Sequence, residues 1–183
     1  MYPAKKVLAF MLFLVVSAAA TAQTVTEKSQ SVTLNILGLQ YNYEKPLSDK
    51  TTIIWHGGLA GDLGYSKTKV LSFESEEWVY AIRAVAGADF RYYYNLAKRD
   101  RLGKNTRSNS ANFWSVDLSC YTPPFVSEGV DEKFLAVLTP GWGLRRVYKN
   151  NLLFELNLGV YLGVNDSDFG IGPSLNVKFG YSF

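Results

Sequence analysis

The stretch Trp78–Asn95, WVYAIRAVAGADFRYYYN, decides the fold class of this chain. Its even positions run Trp78, Tyr80, Ile82, Ala84, Ala86, Ala88, Phe90, Tyr92 and Tyr94. Its odd positions hold Val79, Ala81, Arg83, Val85, Gly87, Asp89, Arg91, Tyr93 and Asn95. The first series is wholly apolar with aromatics at both ends, while the second mixes small and charged residues. Side chains alternate across a strand, so this period of two predicts a β-strand with two unlike faces.

The pattern recurs along the chain. Ser31–Glu44 alternates cleanly only after Gly38, where Leu37, Leu39, Tyr41 and Tyr43 face away from Gln40, Asn42 and Glu44. A bulge is therefore expected at Gly38. Thr51–Tyr65 sets Ile53, Trp55, Leu59, Leu63 and Tyr65 against Thr52, His56, Gly58, Asp62 and Gly64. Asn112–Thr122 opposes Trp114, Val116 and Leu118 to Ser115, Asp117 and Ser119. Phe134–Tyr148 opposes Leu138, Trp142 and Leu144 to Thr139, Gly141, Gly143 and Arg145. Leu152–Val164 and Phe169–Phe183 repeat it, with Glu155, Asn157, Asn176 and Lys178 on their polar sides. Polar or turn-rich segments separate the blocks at 45–50, 66–77, 96–110, 123–133, 149–151 and 165–168. Short connections between sequential strands predict an antiparallel meander.

Composition narrows the class. The chain has 183 residues, 48% hydrophobic and 15% aromatic, with 19% charged and a net charge of +3. Disordered and collagen-like chains carry far fewer aromatics. The single Cys, Cys120, and single His, His56, exclude a disulfide framework and a Cys-rich zinc site. So small a charge excludes the electrostatic footprint of a nucleic-acid binder. At the start, Lys5 and Lys6 precede the apolar run 7–16, then small residues up to Ala20-Thr21-Ala22. That is the layout of a cleaved secretory signal over 1–22, too short to span a bilayer, leaving one domain over 23–183.

Two architectures share the alternation. In a soluble barrel of the lipocalin type the apolar face points inward; in a membrane barrel it meets lipid and the polar face fills the lumen. The interval from Tyr80 to Phe90 spans roughly 25 Å at the tilt of a membrane barrel, about the height of the lipid-facing band. Trp78, Tyr80, Phe90, Tyr92 and Tyr94 would then form its aromatic girdles. On the other face, Glu44, Asp62, Asp89, Asp117 and Glu155 share the phase of Arg83, Arg91, Arg145 and Lys178. Nearly balanced charge suits a narrow lumen in which ions must pair. The expectation is all-β: a single antiparallel up-and-down transmembrane barrel of about eight strands. Seven strands are clear, an even number is usual, and only the short polar segment Val25–Ser31 is left to supply another.

No catalytic, cofactor or metal constellation is expected. His56 has Asp62 as its nearest acid in phase, position 58 is Gly, and no G-x-S-x-G elbow occurs. Cys120 falls in phase with Val116 and Leu118, which reads as a packed thiol. Lys98, Arg99, Arg101, Lys104 and Arg107 form the densest basic cluster. Gly103-Lys104-Asn105-Thr106 lacks the upstream glycine of a P-loop, so the cluster reads as a solvated turn.

The chain ends on alternating apolar residues with Phe179, Tyr181 and Phe183, which resembles the C-terminal signature of bacterial outer-membrane proteins. Arg91-Tyr92-Tyr93-Tyr94-Asn95, Lys98-Arg99, Gly103-Lys104-Asn105-Thr106 and Asn109-Ser110-Ala111-Asn112-Phe113 form a block similar to one in small uncharacterised outer-membrane β-barrel proteins of Bacteroidota. Pro140-Gly141-Trp142-Gly143-Leu144-Arg145-Arg146 and Phe154-Glu155 resemble that family's later strands. The resemblance implies the barrel fold and a Gram-negative outer-membrane location. The partners expected of such a barrel are membrane lipid and the outer-membrane assembly machinery, with an unidentified periplasmic or surface partner as a further expectation. It carries no activity. The expected role is non-enzymatic, structural or interaction-based. A narrow-lumen transporter or ligand-binding barrel is the alternative, and a lipid-modifying barrel enzyme stands behind it.

Overall fold

The computed structural model describes residues 26–35, 38–70, 73–128, 134–166 and 169–183. The expected signal segment 1–22 and Leu37 lie outside them, as do the side chains of Asp62, Leu63, Tyr65 and Trp78. The strands are β1 (Ser29–Asn35), β2 (Gly38–Pro46), β3 (Thr51–Val70), β4 (Phe73–Tyr92), β5 (Asn112–Tyr121), β6 (Val126–Glu128), β7 (Leu135–Val147), β8 (Leu152–Asn165) and β9 (Phe169–Ser182). One short helix, α1 (Leu96–Arg101), lies between β4 and β5, followed by a 3₁₀ turn at Arg107–Asn109.

Eight strands close a ring in the order β1-β2-β3-β4-β5-β7-β8-β9, and β9 pairs back onto β1. Every pairing is antiparallel. The extra strand β6 pairs with Tyr80–Ile82 of β4, along the same edge that β5 occupies from Val85 to Tyr92. At the closing seam Leu34 lies opposite Phe179 and Val32 opposite Tyr181. Closure pairs both edges of each ring strand at the level of the ring, while β3 and β4 run on beyond it as a two-stranded hairpin.

The structure corrects several sequence-based expectations. Ser31–Glu44 is not one bulged strand. It contains most of β1 and β2, which form a hairpin with Asn35 opposite Gly38. The eighth strand therefore starts in Val25–Ser31, at Ser29, but takes most of its length from inside that block. Residues 66–77 are not a loop, since β3 runs to Val70 and β4 begins at Phe73. The 123–133 connection includes β6, and 129–133 lie outside the described residues.

The apolar series points outward. Trp55 is 54% exposed, Trp114 58% and Leu175 68%. Arg83, Asp89, Arg91, Arg145 and Glu155 point inward and are buried. The barrel with an apolar interior is thus not the one this chain builds. Outside, Tyr92 of β4, Trp114 of β5 and Trp142 of β7 are successive register partners, forming an aromatic row near the end where β1 begins and β9 finishes. Tyr80, Phe125, Phe134 and Phe169 lie exposed towards the opposite, hairpin end.

Candidate functional site

The lumen divides into a packed floor and an open cavity. The floor lies towards the end where β1 begins and β9 finishes. Arg91 of β4 donates from both terminal nitrogens to the two oxygens of Glu155 on β8, at 2.7 and 2.8 Å. Its Nε donates to Asp89 at 2.7 Å, and its guanidinium lies 4.1 Å over the Phe113 ring. Arg145 of β7 donates from Nε to Glu155 at 2.8 Å, and from Nη1 to Glu44 of β2. Glu44 also accepts from Thr52 and Tyr93, at 2.7 and 2.8 Å. Five charged side chains are thus joined in one chain of ion pairs. Each brings a different strand to the centre, apart from Asp89 and Arg91 on β4.

The segment 96–110 seals this floor from below and is more than the solvated turn expected. Leu96 and Ala111 are buried against Tyr93 and Phe113 in a small apolar cluster. Ser108, Asn109 and Ser110 are buried as well, and the carbonyl of Ser108 accepts from Arg145 at 3.3 Å. Asn109 clamps the chain ahead of β1. Its Oδ1 accepts from the Glu27 backbone N–H and its Nδ2 donates to the Glu27 carbonyl, both at 2.8 Å. The Ser108 N–H donates to the Glu27 carboxylate. The basic side chains Lys98, Arg101, Lys104 and Arg107 remain exposed on the outer surface of this seal.

Above the floor, His56 meets Asp117, an acid that phase along its own strand could not point to; the side chain of Asp62 lies outside the described residues. His56 Nε2 lies 2.8 Å from Asp117 Oδ2, and the Ser119 hydroxyl donates to Asp117 Oδ1 at 2.5 Å. His56 stands on β3 and Asp117 on β5, with β4 between them. Gly87 makes the crossing feasible. It is the register partner of both His56 and Ser119, and a Cβ there would sit 2.6 Å from His56 Nε2. Only a residue without a side chain lets the imidazole lie flat across β4. Gly143 plays the same part for Phe113, whose ring covers the place a Cβ would take.

The cavity occupies the half nearer the hairpin end, with a volume of about 390 Å³. Its walls come from every barrel strand that reaches this level, including Gln40, His56, Asp89, Asp117, Asn157, Tyr161, Asn176 and Lys178. Lys178 stands opposite Glu155 in register and half-buried on the inner face. Tyr161 also points inward yet is 39% exposed, so solvent reaches this level of the lumen. Periodicity could not have shown a cavity, because its size depends on which inward residues are small across non-adjacent strands.

Of the girdle residues, Tyr80, Tyr92 and Tyr94 are exposed on the outer face and Phe90 half-buried there; Trp78 pairs with Tyr65 along the backbone. Tyr94 accepts from Trp142 Nε1 at 2.9 Å. Phe179, Tyr181 and Phe183 are exposed on the outer face of β9 and just beyond it. Cys120 is a free thiol, exposed on the outer face of β5 and not packed. Arg83 is buried on the inner face of β4. Among the described residues, no group of three or more His, Cys, Asp and Glu side chains could hold a metal ion. Comparison with family models, with curated proteins and with solved structures finds no match for this chain.

Proposed function

We propose that this protein is a non-enzymatic integral β-barrel of the Gram-negative outer membrane, with a structural or interaction role and its exported form beginning after residue 22. The observation that carries the reading is the outward belt. Large apolar side chains such as Leu34, Leu59, Val116, Leu158 and Leu175 cover the outside of the ring, and aromatics lie exposed towards both ends. A monomer in water rarely exposes so continuous an apolar surface, whereas lipid requires one. The balanced, ion-paired interior is what a narrow membrane barrel would need. Lipid is then the main partner, together with the machinery that inserts such barrels, for which β9 with Phe179, Tyr181 and Phe183 would be the recognised end. The similarity to small barrels of Bacteroidota points the same way.

The non-enzymatic part rests on bonding order. Ser119 gives its proton to Asp117 and not to His56, so this trio does not present a hydroxyl activated by a base. Fractionation tests the whole reading. The protein should be recovered in the outer-membrane fraction and migrate differently on gels with and without boiling. Recovery as a soluble periplasmic protein without detergent would overturn it. The cavity favours a second reading, a ligand-binding barrel, over a solute-conducting one, because the floor network closes the lumen beneath it.

A further inference from the structure

We propose that the cavity binds a small, uncharged, polyhydroxylated molecule the size of a sugar of one or two rings. The inference deepens the barrel reading above, and rests on it only for the compartment that supplies the guest.

The wall chemistry selects the class. Six buried wall atoms have no hydrogen-bond partner among the described residues: Oδ1 of Asn35, Asp89, Asn157 and Asn176, Oε1 of Gln40, and Nδ1 of His56. Gln40, Asp89 and His56 are themselves more than nine-tenths buried. All six atoms are acceptors. With Nε2 donating to the Asp117 carboxylate, Nδ1 of the neutral ring is an acceptor. Buried acceptors without donors are unfavourable, so the wall favours a guest rich in donors.

Charge removes the other donor-rich classes. Both wall acids are already engaged, Asp89 by Arg91 and Asp117 by His56 and Ser119. Arg91 and Lys178 set two positive charges against the two acids, so the wall offers a cation little net attraction even at the free oxygen of Asp89. An anion would meet the two acids and the row of acceptors. Hydroxyl groups fit both sides of the wall: they donate to the amide oxygens and accept from Lys178, Ser115 and Ser174. The Tyr161 ring, held against Gly172, offers an apolar face to the C–H side of a sugar ring. A volume of about 390 Å³ matches roughly a dozen waters, close to the non-hydrogen atoms of one hexose, with little to spare beyond two rings.

The test uses the full mature chain refolded in detergent, with its heat-dependent gel migration as the control for folding. Glucose, galactose, N-acetylglucosamine and maltose are titrated by calorimetry, with glucosamine as the cationic probe and glucuronate as the anionic one. At least one uncharged sugar should bind with a Kd of about 1 mM or tighter, and more tightly than both charged probes. Gln40→Leu and Asn176→Leu should each weaken that binding at least about tenfold. Ser174→Phe, which fills the cavity, should abolish it while folding is retained. No binding by any uncharged sugar overturns the proposal, as does preference for a charged probe or indifference to all three variants. The two readings fail separately. Membrane recovery without sugar binding sinks only this inference, and sugar binding by a soluble protein sinks only the membrane reading.

Discussion

Glu155 is 2% exposed and accepts from two arginines at once, which makes Arg145 the residue whose loss is felt most widely in the floor. Arg145→Met keeps the volume but leaves Glu44 with only the Thr52 and Tyr93 hydroxyls, and Glu155 with Arg91 and the Asn157 amide. Breaking a buried pair from one side typically costs about 3–5 kcal/mol. The urea midpoint of the refolded barrel should fall accordingly, whereas Lys178→Met, at a half-buried site, should move it much less. Equal effects would mean that the floor is not the stabilising centre. The inward phase of these charges was legible in the sequence, because alternation places Arg91, Arg145 and Glu155 on one face. Their pairing was not. It depends on register between strands distant in sequence, and on Gly87, whose missing side chain lets His56 reach Asp117 across a whole strand.

The β1–β2 hairpin explains how a strand can hide in an alternating sequence. β1 buries its odd positions, Ser29, Ser31 and Thr33, and β2 its even ones, Gln40, Asn42 and Glu44. A tight hairpin shifts the phase by one residue, and so does a bulge. With no Asn-Gly or Asp-Gly pair to mark the turn, the two cannot be told apart by pattern. The polar stretch 66–77 hides strand for another reason: with no apolar face to show a period, only pairing between β3 and β4 defines it. The 96–110 segment likewise conceals a plug behind its basic side chains. Asn109 is its anchor, buried with φ +57°, a left-handed conformation that Asn tolerates better than most residues. Asn109→Ala removes both hydrogen bonds to Glu27 and should cost about 1–3 kcal/mol locally. Lys28 is exposed beside the clamp, so trypsin should cut after it faster in the variant while the barrel keeps its heat-dependent migration. Unchanged cleavage would show that β1 pairing alone holds this end.

At the scale of the whole molecule, the chain separates two polarities across a wall one strand thick, and the membrane reading depends on which side meets lipid. Ala86 tests the outside. It is exposed on β4, midway between Tyr80 and Tyr92, where the middle of a bilayer would lie. Ser115 tests the inside, since it points into the cavity from β5. An arginine on the lipid face at mid-depth costs about 2–4 kcal/mol. Ala86→Arg should therefore lower refolding into lipid vesicles and reduce the assembled form in cells. Ser115→Arg places the same charge among Asp89, Asp117 and the amide oxygens, with about 390 Å³ to enter, and should assemble normally. In water neither variant would carry that penalty, because an exposed arginine costs little on a solvated surface. Equal tolerance of both would argue that the outer belt never meets lipid. Failure of Ser115→Arg alone would mean that the cavity is not the accommodating side of the wall.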